Sequence, residues 1–279
     1  MTEFRPSRFE ILPTVVKNLL IINGLIFLAQ NTFGGHGSEF SFENIFALHA
    51  WQSSLFRPWQ LITHMFLHGD FGHIFGNMLA LWMFGSVLEN LWGPKRFLTF
   101  FIVCGLGAAL MHLLFLSYEM IPMMKDYTAA LQEHATNSGK TVALFNFGAK
   151  HPHAFTEISD LVNIVANNPE NTEASSALFQ NVTAYYEANI NTSTIGASGA
   201  VFGILAAFVY LFPNTYIYIY FLVPVKAKWI GILYFSYELF FALRNSAGDN
   251  IARWAHVGGA IVGLIIVMTW NKKNKKNFY

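Results

Sequence analysis

Gly196-Ala197-Ser198-Gly199-Ala200-Val201-Phe202-Gly203 opens one apolar segment, and Trp254-Ala255-His256-Val257-Gly258-Gly259 opens another that runs on apolar to Met268. Each begins with a polar side chain for which an apolar helix has no packing use. A serine flanked by glycines and a histidine, each at the head of a membrane-length helix, supply a nucleophile and a base. Amide chemistry inside a bilayer needs that pair.

Composition sets the same class. Of 279 residues, 54% are hydrophobic and 12% charged, whereas soluble domains are about 25% charged. With 28 Phe and 7 Trp, the chain reads as an integral membrane protein rather than a soluble one with a large core. The formal net charge of +1 implies no basic surface for nucleic acid. Cys104 is the single cysteine and lies in an apolar run, so intrachain disulfides are excluded and a small buried filler is expected. Residues 1–13 carry mixed charges and no small-residue cleavage site follows the first apolar run, which therefore reads as a retained anchor.

Apolar runs predict six spans, at about 15–30, 73–91, 97–116, 197–212, 229–243 and 256–270. Trp92-Gly93-Pro94-Lys95-Arg96 ends the second, Pro213 the fourth and Arg244 the fifth. The fourth and sixth are short for a span, which neighbouring helices can shield. The expected fold is thus an all-α polytopic membrane protein, a six-helix bundle. Residues 1–14 form a cytoplasmic N-terminus, 15–270 the membrane domain, and 271–279 a basic cytoplasmic tail. A large extracytoplasmic insertion, 117–194, joins the third and fourth spans. Its stretches 123–133 and 182–190 suit amphipathic helices, with Asn/Pro turns at 167–171 between them.

Charge fixes orientation. Lys95 and Arg96, Lys226 and Lys228, and Lys272, Lys273, Lys275 and Lys276 all fall on the side of Arg5, Arg8 and Lys17, the cytoplasmic side by the positive-inside rule. The insertion falls on the other side, with eight acids against three bases. Spans two, four and six then run the same way. His73 and Asn77, Ser198, and His256 stand at their heads, at one shallow depth. Polar groups there need partners and a water-filled cavity, because burial in lipid without them costs several kcal/mol each.

Acyl transfer suits this set. Ser198 attacks a carbonyl, and His256 serves as general base and then general acid. His73 and Asn77, four residues apart, share a helix face and suit a donor pair for an oxyanion, with the Ser198 N–H as a third donor. The glycines at 196 and 199 let backbone and substrate approach closely.

The chain resembles the rhomboid family of intramembrane serine proteases. The resemblance rests on Gly196-Ala197-Ser198-Gly199 (G-x-S-G), on Ala255-His256 with Gly259 and Gly263 (A-H-x-x-G-x-x-x-G), and on His73 with Asn77 (H-x-x-x-N). His64, His68 and Trp59 fit the family pattern, and the likeness covers residues 15–116 and 195–270. It implies six helices, a Ser198–His256 dyad with no acid, an oxyanion hole at His73 and Asn77, and cleavage of substrate transmembrane segments near their outer end. No cofactor or metal is implied. The implied partners are single-span membrane-protein substrates and the lipid bilayer, and the expected location is a bacterial inner membrane. Three features depart from the family. Trp59-Gln60 replaces its Trp-Arg pair, Phe202 stands where a Tyr often stacks on the histidine, and the 117–194 connection is unusually long.

Other residues have structural expectations. His64 and His68 should hold the first outer loop, and Gly259 and Gly263 should pack helices closely. Glu89 suits a hydrogen-bonding role. Glu238, an ionisable group within a span, is expected to pair with a neighbouring helix. His151-Pro152-His153 should be solvated. The alternative function is a catalytically silent rhomboid-like protein that binds membrane helices, which the presence of both Ser198 and His256 disfavours. A transporter is less suited, since paired broken helices and midplane charges are missing from the sequence.

Overall fold

The computed structural model describes residues 9–33, 41–137, 139–219, 222–244 and 251–276. The expected charges Arg5 and Arg8, and the side chains of Lys273, Lys275 and Lys276, lie outside the described residues. The chain divides into two compact units: Met1–Leu48, Arg57–Leu113 and Ser193–Tyr279 form the first, and His49–Phe56 with Leu114–Thr192 the second.

In the first unit, α1 (Thr14–Phe33) starts directly after Pro13. Its first amides, those of Val15 and Val16, donate to the two carboxylate oxygens of Glu89 at 2.9 and 2.8 Å. A helix N-terminus leaves such N–H groups unpaired and favours an anion there. Glu89, 3% exposed, has the hydrogen-bonding role expected of it. The next long helix, α2 (Phe71–Trp92), carries it. Asp70 caps α2 by accepting from the His73 amide at 2.8 Å. Gly93, at φ +79, ends α2, and Pro94 starts α3 (Pro94–Thr136).

The remaining long helices of this unit are α7 (Ser198–Leu211), α8 (Ala227–Arg244) and α9 (Arg253–Lys276). Of these, α7 and α9 meet at close-packed glycines. A Cβ at Gly259 of α9 would collide with the Gly199 carbonyl of α7, and one at Gly263 would lie 2.7 Å from the Gly203 Cα. Gly259 and Gly263 thus let the two backbones touch, as expected. Cys104, fully buried, fills the space beside Gly203. Trp92, Phe100 and Trp270 close the far end of the core, with ring centroids 4.9 to 6.1 Å apart.

Four described helices are long and apolar enough to cross a membrane: Thr14–Phe33, Phe71–Trp92, Pro94–Thr136 and Arg253–Lys272. The other two expected spans differ. The 14 residues of α7 rise about 21 Å at about 1.5 Å per residue, less than the bilayer core of about 30 Å. Lys228, Glu238 and Arg244 interrupt the apolar character of α8. Ile21, Leu25 and Leu28 of α1 and Leu233, Phe240 and Leu243 of α8 are all exposed, a surface suited to lipid rather than water. Between α7 and α8 lies an antiparallel hairpin, β1 (Tyr216–Ile219) with β2 (Val223–Lys226), which pairs Tyr216 with Lys226 and Ile219 with Val223. This departs from an all-helical expectation. Alternating Tyr-Ile-Tyr-Ile, aromatic and β-branched with a period of two, favours a strand over a helix.

The second unit takes up the C-terminal part of α3 with α4 (Val142–Lys150), α5 (Ser159–Asn167) and α6 (Thr172–Ile190). Their shared core includes Leu144, Phe147, Val165, Leu178 and Val182. Helix was expected at 123–133 and 182–190, and both stretches are helical within α3 and α6. Asn171, in the expected turn, caps α6 through the Ala174 amide at 2.9 Å. Two expectations change here. The third helix does not stop near 116 but continues to Thr136, because residues 117–136 hold no glycine and a single proline, Pro122. Pro152 and His153 are exposed as expected, but His151 is half-buried. Asp126, which also binds Lys150, draws the imidazole in at 3.3 Å, and the Phe147 ring covers it.

Candidate active site

The heads of α2, α7 and α9 meet at a cavity of about 810 Å³ in the first unit. Its lining includes His73, Asn77, Ser198, Phe202 and His256, with apolar walls from Phe84, Leu205 and Ile230. The polar residues expected at one depth are therefore brought to one space.

Ser198 is the first residue of α7 rather than its cap, so its side chain is not committed to the helix terminus. Gly196, at φ +124, sets the approach, since a side chain is strained in that conformation. The Gly196 amide donates to the His64 carbonyl at 2.9 Å. His64 is itself held by its ring Nδ1, which donates to the Gln60 carbonyl at 2.8 Å. Gln60, fully buried, donates through Nε2 to the Asn44 and Ile45 carbonyls at 3.3 Å each and accepts from the Arg57 amide. Trp59 Nε1 donates to the Ile45 carbonyl at 2.9 Å. Where the family pattern has arginine, Gln60 thus ties the loop to itself by neutral hydrogen bonds. His68 presents its ring edge to His73, centroids 5.1 Å apart, and Gln30 brackets its backbone. Both loop histidines hold structure around the site.

His256 lies one turn into α9. Its Nε2 is 2.9 Å from Ser198 Oγ, and its Nδ1 is 3.0 Å from Glu238 Oε2 of α8. Phe202, one turn along α7 from Ser198, stacks on the imidazole at 4.2 Å between centroids and 9° between planes. Tyr234 and Phe235 of α8 flank the Phe202 ring at 5.0 and 5.9 Å. Arg253, one turn before His256 and on the same face of α9, places Nη1 3.4 Å from the same Glu238 oxygen. Its guanidinium lies over the Tyr237 and Phe241 rings at 5.4 and 5.0 Å. Glu238 does pair with a neighbouring helix, as expected. One of its two partners is the site histidine, which a dyad with no acid does not foresee.

On the facing helix, the Gly69 amide approaches His73 Nδ1 at 3.4 Å, and acceptance there leaves Nε2 to carry the hydrogen. His73 Nε2 points at Gly196, where a Cβ would come within 2.7 Å of it. Asn77 is 7% exposed, and its amide nitrogen has no hydrogen-bond partner among the described residues. A buried donor without a partner costs about 1–3 kcal/mol. Here it lines the same cavity as Ser198.

A protein-family model, the Rhomboid domain, matches residues 55–147 and 172–273. The chain belongs to the rhomboid family. RHOMBOID-like protein 12, mitochondrial, of Arabidopsis thaliana is 25% identical over 95% of this chain and 60% of its own length. An uncharacterized mitochondrial rhomboid protein of Schizosaccharomyces pombe is 26% identical over 94% of this chain and 64% of its own. Rhomboid protease GluP of Bacillus subtilis is 28% identical over 38% of this chain and 21% of that protein. The rhomboid chain thus spans about three fifths of the length of the first two relatives. The expected bacterial inner membrane does not stand, since the two relatives matched along nearly the whole chain are named mitochondrial. The physical reason is that hydropathy and the positive-inside bias set spans and orientation but do not specify which membrane holds them.

The contact of Glu238 with His256 and the cap supplied by Asp70 were not read from the sequence. Glu238 had a signal, an acid in an apolar stretch, yet its partner depends on how α8 is turned toward α9. Asp70 also had one, as a helix-capping residue just before an apolar run.

Proposed function

We propose that this rhomboid protein is an intramembrane serine endopeptidase that cleaves the transmembrane segments of single-span membrane proteins. The observation that carries the reading is the 2.9 Å contact of Ser198 Oγ with His256 Nε2 at a cavity that Asn77 also lines, its amide nitrogen without a partner among the described residues. Ser198 Oγ bonds to the scissile carbonyl carbon as its proton passes to His256 Nε2. That proton then goes to the departing amide nitrogen as the C–N bond breaks, and water repeats the sequence to release the acyl group. His73 Nε2–H, Asn77 Nδ2–H and the Ser198 N–H at the helix start are the donors for the oxyanion. Phe202 holds the plane of the imidazole.

The reading includes six spans, with α7 and α8 as the two shielded ones, and the basic ends Lys95, Arg96, Lys226, Lys228 and Lys272 on one membrane side. The site and the segment 117–194 belong to the opposite side. A mitochondrial membrane is the proposed location, supported by the names of the two relatives matched along nearly the whole chain. The test is labelling by a fluorophosphonate probe in detergent, together with cleavage of a transmembrane reporter. Ser198→Ala should lose both, and His256→Ala should lose cleavage, with folding retained. Cleavage above a tenth of the parent rate in either purified variant refutes the assignment.

A further inference from the structure

Glu238 is 4% exposed and 18 residues from His256 in sequence, yet its carboxylate faces the imidazole. A carboxylate in an apolar helix is expensive to bury and persists where it is paired. If its only task were to latch α8 to α9, the contact with Arg253 would suffice. Instead the shorter of its two contacts, 3.0 against 3.4 Å, goes to His256 Nδ1. An ionised carboxylate only accepts hydrogen bonds, so Nδ1 must carry the hydrogen, and Nε2 is left with the lone pair that faces Ser198 Oγ. That is the tautomer a general base needs. Arg253 meets the same carboxylate oxygen from α9, and its own place is fixed over the Tyr237 and Phe241 rings.

We propose that Glu238 is a positioning residue for proton transfer, so that Ser198, His256 and Glu238 form a triad rather than a dyad. This rests on the protease reading above. Glu238 takes no proton itself. It holds the ring in the Nδ1–H form and stabilises the charge that develops on the imidazole while Ser198's proton resides on Nε2. Arg253 holds the carboxylate in place. Tyr234 and Tyr237 also stand near Glu238 on α8, and among the described residues the Nδ1 hydrogen bond goes to Glu238.

The test combines spectroscopy with kinetics on the full chain in detergent micelles. In protein labelled with 15N-histidine, the His256 ring signals, identified by their loss in His256→Gln, report which nitrogen bears the hydrogen. The wild type should show the Nδ1–H tautomer with a low-field proton. Glu238→Gln, which keeps the volume and one acceptor, should move that proton upfield. Glu238→Met, which keeps the volume and removes the acceptor, should mix the tautomers. Turnover of a transmembrane reporter should fall about 30-fold in Glu238→Gln, or about 2 kcal/mol at about 1.36 kcal/mol per decade, and further in Glu238→Met, with KM within about threefold throughout. Unchanged ring signals in Glu238→Gln overturn the proposal, as does turnover within threefold of the parent. A wild type that neither cleaves nor labels refutes the protease reading instead, and the ring signals still decide whether Glu238 holds the imidazole.

Discussion

Phe202 lies flat on the His256 imidazole, ring centroids 4.2 Å apart and planes within 9°. The face of one ring, not a hydroxyl, does the holding, and aromatic pairs are worth about 0.5–1.5 kcal/mol beyond their buried area. Phe202→Tyr should therefore keep cleavage within about threefold. Phe202→Leu should lower turnover about tenfold through a less constrained imidazole. Equal rates for Phe202→Leu and the parent would show that the stacking has no part in orienting the base.

Asn77 should act on rate rather than on binding. Its amide nitrogen lacks a partner among the described residues, and Asn77 lines the cavity at Ser198. Loss of one oxyanion donor costs about 3 kcal/mol of barrier, or about 100-fold in turnover. Asn77→Ala is expected to show that loss in kcat with KM little changed. A change in KM alone would make Asn77 a substrate contact.

His64 predicts an acid-sensitive fold. Burial holds its imidazole down at about 4, only partly offset by the hydrogen bond to the Gln60 carbonyl, against an ordinary value near 6.5. Between those values the unfolded chain binds a proton that the folded chain refuses, so stability is lost as pH falls from about 6.5 towards 4. Thermal unfolding in detergent should drop between pH 7 and pH 5, and His64→Gln should flatten that slope. A slope unchanged in the variant would assign the acid response to other groups.

Gly259 is expected to be intolerant of any side chain. A Cβ there would meet the Gly199 carbonyl one residue from Ser198, and backbone yields less readily than a side chain tip. Gly259→Ala should lower the unfolding temperature and the Ser198 labelling rate together, whereas Gly24→Ala, with open space around it, should leave both unchanged. Full labelling in Gly259→Ala would show that α7 and α9 can separate without disturbing the site.

Ser198, His256, His73 and Asn77 were legible because each is a polar residue at the head of an apolar run, and the heads of these runs line one cavity. Orientation about a helix axis is not legible in that way. Glu238 was visible as a charge, but α8 is apolar on nearly all sides, so no periodicity tells which face meets α9. The continuation of α3 to Thr136 was hidden by a change from apolar to polar composition that is not a change of backbone. The hairpin at Tyr216–Ile219 was hidden within a run read only for hydropathy.

The segment 117–194 should be dispensable for the chemistry and required for the choice of large substrates. The first unit holds every residue of the site, and the cavity-lining residues Ser193 and Thr194, at the end of the insertion, lie outside the stretch 120–190. Within that first unit, His112 Nε2 and Thr194 Oγ1 are 2.7 Å apart, so the chain leaves and returns at neighbouring points. A short Gly/Ser linker can therefore replace residues 120–190 without pulling α7 away from α3. The Rhomboid match also omits 148–171, so that part lies outside the family pattern. The shortened protein should still be labelled at Ser198 by a small fluorophosphonate, at a rate within about threefold of the parent. Its cleavage of a reporter with a bulky domain next to the membrane should change, while cleavage of a minimal transmembrane reporter should not. A shortened protein that folds yet loses labelling would make the insertion part of the active site.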